Sequence, residues 1–284
     1  MTDLTRELEV LGPDDVHVFF FHTSQIAGDP LVRACEALLT DEEKARRARY
    51  IFDKNKLEYL ATRTLARTTL SRYARVAPEA WRFTPNQYGR PEISGPDGAP
   101  RLRFNLSNTV KLVACAVSLD RDVGIDVEDS TRSGETVAIA DRFFSDQETK
   151  ELRALPASRQ HRRFFEYWTL KEAYIKARGM GLALPLDGFS FLLGREDRDP
   201  RDGRGPRVGI AIDPKLEDDA ATWEFEQFSP DADHFAAVAV RKRGGAGARV
   251  TIRRVDLSVD RGAVSASASA WASASAPGGS PGAG

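Results

Sequence analysis

At 284 residues, with 41 Lys or Arg against 42 Asp or Glu, the chain carries a formal net charge of −1. That balance excludes a protein that grips long polyanions with its whole surface, and the length allows two lobes or one large domain. Two cysteines, Cys35 and Cys115, cannot build a disulfide framework, and no Cys or His spacing points to zinc. No apolar run nears the roughly 20 residues that a membrane helix needs. The opening residues Met1 to Glu7 hold charges where a signal peptide would be apolar, so a soluble protein of the reducing cytoplasm is expected.

In chain order, residues 16–21 are β-branched and aromatic and predict a buried strand. Residues 29–39 show helical spacing. Thr40 is a candidate N-cap, and Glu43, three residues on, completes a capping box. A long basic segment then runs from Lys44 to Arg75. Leu57, Leu60, Ala61, Thr64, Leu65 and Thr68 give it an apolar stripe, so it predicts helix, closed by Pro78. Strands are expected at 81–84, 102–106, 110–119 and 123–128, the third of them central because it is almost continuously apolar. Tyr88-Gly89-Arg90-Pro91 and residues 95–100 carry turn chemistry. Helices follow at 136–143, at 145–155 with Ser145 and Glu148 as a second capping box, and at 159–178, stopped by Gly179-Met180-Gly181. Further strands are predicted at 184–193, 207–212, 221–228, 234–240 and 250–255, with a charged, glycine-rich hairpin loop at 197–207. Residues 263–284 hold only Ala, Ser, Gly and Pro besides Val264 and Trp271. Such a composition cannot bury enough apolar surface to offset its ordering entropy, and a disordered tail is expected. The order strand, short helices, long helix, strands occurs on both sides of residue 124, which points to two similar lobes.

Two patterns carry chemistry. Glu172 and Lys176 lie one turn apart on one face of the third late helix, beside an apolar stripe of Phe164, Trp168 and Ile175. By itself this spacing marks a surface ion pair. Upstream stands Gly124-Ile125-Asp126-Val127-Glu128-Asp129. Alternation in a strand turns Ile125 and Val127 to the core and puts Asp126 and Glu128 on the other face. Paired carboxylates there are either a solvated acidic strand end or a cation site. With Glu172 as a third oxygen donor they suit Mg²⁺, which prefers octahedral oxygen ligands and leaves room for water and phosphate. Ser107 and Asn108 end the strand Phe104-Asn105-Leu106-Ser107, and read either as an ordinary polar turn or as holders of phosphate oxygens. The basic stretch from Lys44 to Arg67 is either a solvated face or an anion site. It lacks the interleaved aromatics of a nucleic-acid surface, so a small polyphosphate or an acidic protein fits it better than a duplex. His17, His22, His161 and His234 are scattered and read as structural.

These motifs resemble those of the 4′-phosphopantetheinyl transferases, in the larger pseudo-dimeric type that activates peptide and polyketide synthases. The resemblance runs over about residues 38–193. It rests on Tyr88-Gly89-Arg90-Pro91, Phe104-Asn105-Leu106-Ser107, Gly124 to Glu128, Arg142-Phe143-Phe144-Ser145, and Trp168 through Lys176 with Gly181-Leu182. It implies transfer of the phosphopantetheine arm of coenzyme A to a serine of an apo acyl or peptidyl carrier protein, with release of 3′,5′-ADP. Asp126, Glu128 and Glu172 would hold Mg²⁺. Lys176, Arg90, Ser107 and Asn108 would contact coenzyme A phosphates, and Lys44, Arg47, Arg63 and Thr64 would lie near its 3′-phosphate end. Glu172 or Lys171 would manage the serine proton, with Glu148 a further candidate. Asn108 departs from the His that many members carry after the Phe-Asn-x-Ser core, which removes one titratable contact.

The resemblance also implies an α+β fold of two lobes related by a pseudo-two-fold axis. Each lobe would be a small, mostly antiparallel sheet packed with a long helix, the active site lying in the cleft between them. The lobes would span 1–123 and 124–262, with the tail at 263–284. A monomer is expected, with coenzyme A and an acidic helical carrier as partners and neither nucleic acid nor membrane. Two rivals stay open: a Mg²⁺-dependent nucleotide or coenzyme A pyrophosphohydrolase using the same carboxylates, and a non-catalytic relative that holds coenzyme A or a carrier.

Overall fold

The computed structural model describes residues 7–132, 136–194, 208–244 and 247–257. The predicted tail at 263–284 and the predicted loop at 197–207 lie outside them. The first strand, β1 (Asp15–His22), is followed by α1 (Asp29–Ala37), α2 (Asp41–Ala48) and α3 (Asp53–Leu70). The hairpin of β2 (Arg82–Pro85) and β3 (Pro91–Gly95) leads to β4 (Leu102–Asn108), β5 (Leu112–Leu119) and β6 (Val123–Asp129). Three helices come next: α4 (Thr136–Phe143), α5 (Asp146–Ala154) and α6 (Ala157–Arg178). The chain then forms β7 (Phe189–Leu193), β8 (Val208–Ile212), β9 (Trp223–Asp231), β10 (His234–Arg241) and β11 (Arg249–Arg254).

Two sheets organise the molecule. One has the order β11-β1-β5-β4 and the other β6-β10-β9. All their pairings are antiparallel except β11 against β1. Val16, Val18, Phe20, Leu112, Ala114 and Ala116 of the first sheet share a buried cluster with Val123, Ile125, Val127, Ala236, Val238 and Val240 of the second. The first sheet's other face packs on Leu60, Leu65 and Leu31 from α3 and α1. The second sheet's other face packs on Phe165, Leu170 and Tyr174 from α6. The layers therefore run helices, sheet, sheet, helices, and strands buried on both faces lose the polar alternation of a surface strand. This is the α+β, two-lobed arrangement that the sequence predicts.

A small device occurs once in each lobe. Thr40 and Glu43 close a capping box on α2, and Ser145 and Glu148 close one on α5. In each case the cap glutamate also holds a buried cation from the following long helix: Arg67 donates to Glu43 at 2.7 Å, and Lys171 lies 2.7 Å from Glu148.

Three expectations are corrected. β11, placed by the sequence in the second lobe, adds to the first sheet in parallel beside β1, with Val255 and Leu257 buried behind it. The basic helix breaks after Ala48: Phe52 is extended and starts α3 afresh. Residues 184–193 are not one strand, because Pro185 opens a short 3-10 turn at Leu186–Gly188 and β7 begins only at Phe189.

Candidate active site

Gly124 sets the geometry. A Cβ built there would stand 2.0 Å from the Ala173 carbonyl oxygen and 2.4 Å from the Ala177 nitrogen. Only a residue without a side chain lets α6 lie so close on β6. This contact brings the Asp126 and Glu128 face of the strand against the Glu172 and Lys176 face of the helix.

The Lys176 ammonium donates to Asp126 Oδ1 at 2.6 Å and to Ser107 Oγ at 3.0 Å. Ser107 Oγ in turn donates to Asp126 Oδ1 at 3.0 Å and accepts from the Val127 backbone N–H at 3.1 Å. Asn105, two residues back on the same face of β4, accepts from the Ile125 N–H at 3.0 Å. The two side chains thus bridge the sheets where they meet. Trp168 Nε1 donates to Glu128 Oε1 at 3.1 Å, and Arg132 to Oε2 at 3.0 Å. Asn105 and Trp168 stand in the motifs named above but were given no role of their own; their polar atoms do the positioning.

The charges do not balance. Burial, then the Asp126 charge, pushes the Glu128 carboxyl above its ordinary value. Glu172 is pushed up to about 7, first by burial and then by Asp126, with Lys176 opposing and Glu128 adding. Asp126 Oδ2 is buried and has no hydrogen-bond partner. Among the described residues no three His, Cys, Asp or Glu side chains stand together as a ready-made metal cage. Lys176 lies against Asp126, and Glu128 is turned to Trp168 and Arg132. The donor set is nevertheless all oxygen, has a free buried carboxylate oxygen, and sets three carboxyl groups against two cations, Lys176 and Arg132. That chemistry fits a hard divalent cation.

Several predicted site residues are elsewhere. Lys171, next to Glu172, is turned by about 100° around the helix. It is fully buried and donates to the Leu186 and Phe189 carbonyls, each at 2.7 Å, besides pairing with Glu148. Neither Lys171 nor Glu148 faces the acidic cluster, so neither handles a proton there. Thr64 is fully buried in the first core, where its hydroxyl lies beside Cys35. Arg90 donates to the carbonyls of Lys176, Ala177 and Val123 at 3.2, 2.9 and 3.4 Å, and so caps the end of α6 instead of presenting its charge outward. Asn86 shapes its turn by accepting from the Tyr88 and Arg90 N–H groups. Lys44 pairs with Asp41, Arg47 with Glu36, and Arg63 stands 3.8 Å from Glu43 and over the Tyr59 ring. Asn108 donates to Glu58 of α3.

The profile of the 4′-phosphopantetheinyl transferase superfamily matches residues 122–239, and that of the 4′-phosphopantetheinyl transferase N-terminal region matches residues 30–120. The chain is 31% identical to the 4′-phosphopantetheinyl transferase HetI of Nostoc sp. over 231 residues, 80% of this chain and 88% of HetI. The chain belongs to the 4′-phosphopantetheinyl transferase superfamily. A phosphopantetheinyl transferase of Thraustochytrium sp. is 30% identical over 237 residues, 78% of this transferase and 77% of its own length. The transferase Sfp of Bacillus subtilis is 33% identical over 157 residues, 55% of this chain and 67% of Sfp. The two matched regions of this transferase divide between residues 120 and 122, in the turn that joins β5 to β6 and hence one sheet to the other. No described helix of this transferase is long and apolar enough to cross a membrane.

Proposed function

We propose that this transferase moves the phosphopantetheine arm of coenzyme A to a serine of an apo acyl or peptidyl carrier protein in the cytoplasm. The reaction releases 3′,5′-ADP and uses Mg²⁺. One observation carries the reading: an under-neutralised cluster of Asp126, Glu128 and Glu172 stands together with a lysine ammonium and a strand-end hydroxyl. Asp126, Glu128 and Glu172 would hold Mg²⁺, which would neutralise charge on the pyrophosphate as its bond breaks. Lys176 is tethered by Asp126 and Ser107 yet partly exposed, so its ammonium is held ready for a phosphate oxygen. Glu172 would be a weaker base while it holds Mg²⁺ than in the metal-free chain, so the proton of the attacking serine would reach it through a water. Lys44, Arg47, Arg63 and Asn108 remain the proposed contacts for the coenzyme A phosphates. The first three stand beside carboxylates and would exchange those acids for phosphate.

The test mixes the purified chain with coenzyme A, an apo carrier and Mg²⁺, and reads the intact mass of the carrier. The expected result is a gain of one phosphopantetheine arm, abolished by EDTA and restored by Mg²⁺. Coenzyme A cleaved with no gain on any carrier would make the chain a hydrolase. A readout without turnover accompanies it. Mg²⁺ should raise the melting temperature of the wild-type chain, and raise it less in Asp126→Asn.

A further inference from the structure

The turn between α2 and α3 is unlike the rest of the surface. Ile51 is 86% exposed and Phe52 61% exposed, side by side on one turn. Arg46, Arg49 and Lys54 flank them along the chain and are exposed as well. None of these three pairs with a carboxylate among the described residues, whereas their neighbours Lys44, Arg47 and Lys56 are all paired. Lys54 instead lies over the Phe52 ring and Arg46 over Tyr59, each at 5.9 Å. Two large apolar side chains left in water and flanked by unpaired cations match an acidic surface that offers an apolar side chain.

The position of the turn matters as much as its chemistry. Glu58 follows Phe52 by six residues, about 9 Å along the helix. Its carboxylate accepts from Asn108, and Asn108 adjoins Ser107, which bonds to Asp126 and Lys176. Val110, 52% exposed, lies two residues beyond Asn108. The turn and the reacting cluster therefore share one rim. We infer that the Ile51–Phe52 turn is a docking surface for the protein acceptor, and that it receives an acidic surface that offers an apolar side chain. This rests on the transferase reading above and adds where the acceptor sits.

The test uses the full chain and two double variants, Ile51→Ser with Phe52→Ser, and Arg49→Glu with Lys54→Glu. Binding of an apo carrier is titrated calorimetrically without coenzyme A, and transfer is then followed with each substrate varied in turn. Expected are carrier Kd and KM values raised about tenfold or more in both variants, with kcat and the coenzyme A KM within about twofold. The charge reversal should also flatten the salt dependence of the carrier KM. Unchanged carrier affinity in both variants would overturn the docking surface while leaving transfer intact. So would a matching rise in the coenzyme A KM, which would make the turn part of the nucleotide site. Weakened binding with no transfer by the wild type would sustain the surface and sink the transferase reading. No binding of any carrier to the wild type would sink the surface.

Discussion

Glu172 links the proposed reaction to stability. Its carboxyl lies near 4.5 when unperturbed and is pushed up to about 7 in the folded chain, mainly by burial. Between those values the folded state holds a proton that the unfolded state has released, so stability falls as pH rises from about 4.5 to about 7. Above that range the ionised carboxylate costs on the order of 3 kcal/mol at most. Glu172→Gln should therefore stabilise the metal-free chain by about 1–3 kcal/mol near pH 8 and by little near pH 4, read from urea midpoints. Equal gains at both pH values would rule out this account. Lys171 makes the opposite case. Lys171→Met leaves Glu148 buried beside an apolar residue and should cost about 3–5 kcal/mol. Adding Glu148→Gln should recover much of that loss, and a double variant as unstable as the single would contradict the pairing. The residues whose shared face was legible in the sequence are those whose spacing settles their direction: Asp126 with Glu128, and Glu172 with Lys176. Lys171 was misplaced although adjacency on a helix already turns it away from Glu172. Thr64 was misplaced although it lies on the same apolar stripe that marks α3 as packed. The turn around Arg90 was legible but its partners were not, because they are carbonyls of α6 and of Val123, far along the chain.

At the scale of elements, the contact of α6 with β6 is the joint that holds the site. Gly124→Ala forces a methyl into backbone atoms that cannot rotate aside. The expected loss is about 3 kcal/mol or more, together with transfer activity that falls further than the folded fraction does. Full activity at an unchanged urea midpoint would show that helix and strand are not tied as closely as described. The capping boxes were legible because Thr-x-x-Glu and Ser-x-x-Glu are local patterns. The cations that complete them were not, since Arg67 and Lys171 reach their glutamates only after the long helices fold back. The break between α2 and α3 has neither Gly nor Pro to announce it.

For the whole molecule, the lobes are less separate than a boundary at residue 124 implies. β11 returns to the first sheet after the entire second sheet has been built, and Val255 and Leu257 are buried beneath it. Ending the chain after Gly247 should lower the melting temperature sharply or abolish the soluble fold, whereas ending it after Gly262 should leave transfer intact. Comparable activity from both truncations would show that β11 is dispensable. The strand itself was legible in residues 250–255, but its partner was not, because hydrophobic alternation says which face is buried and not which neighbour is beside it. The returning strand also sets an order of events during translation. When β1 leaves the ribosome its outer edge is open, and it stays open until some 230 further residues have emerged. The second sheet can pair its strands in that interval, while the first waits for β11 to cover its edge.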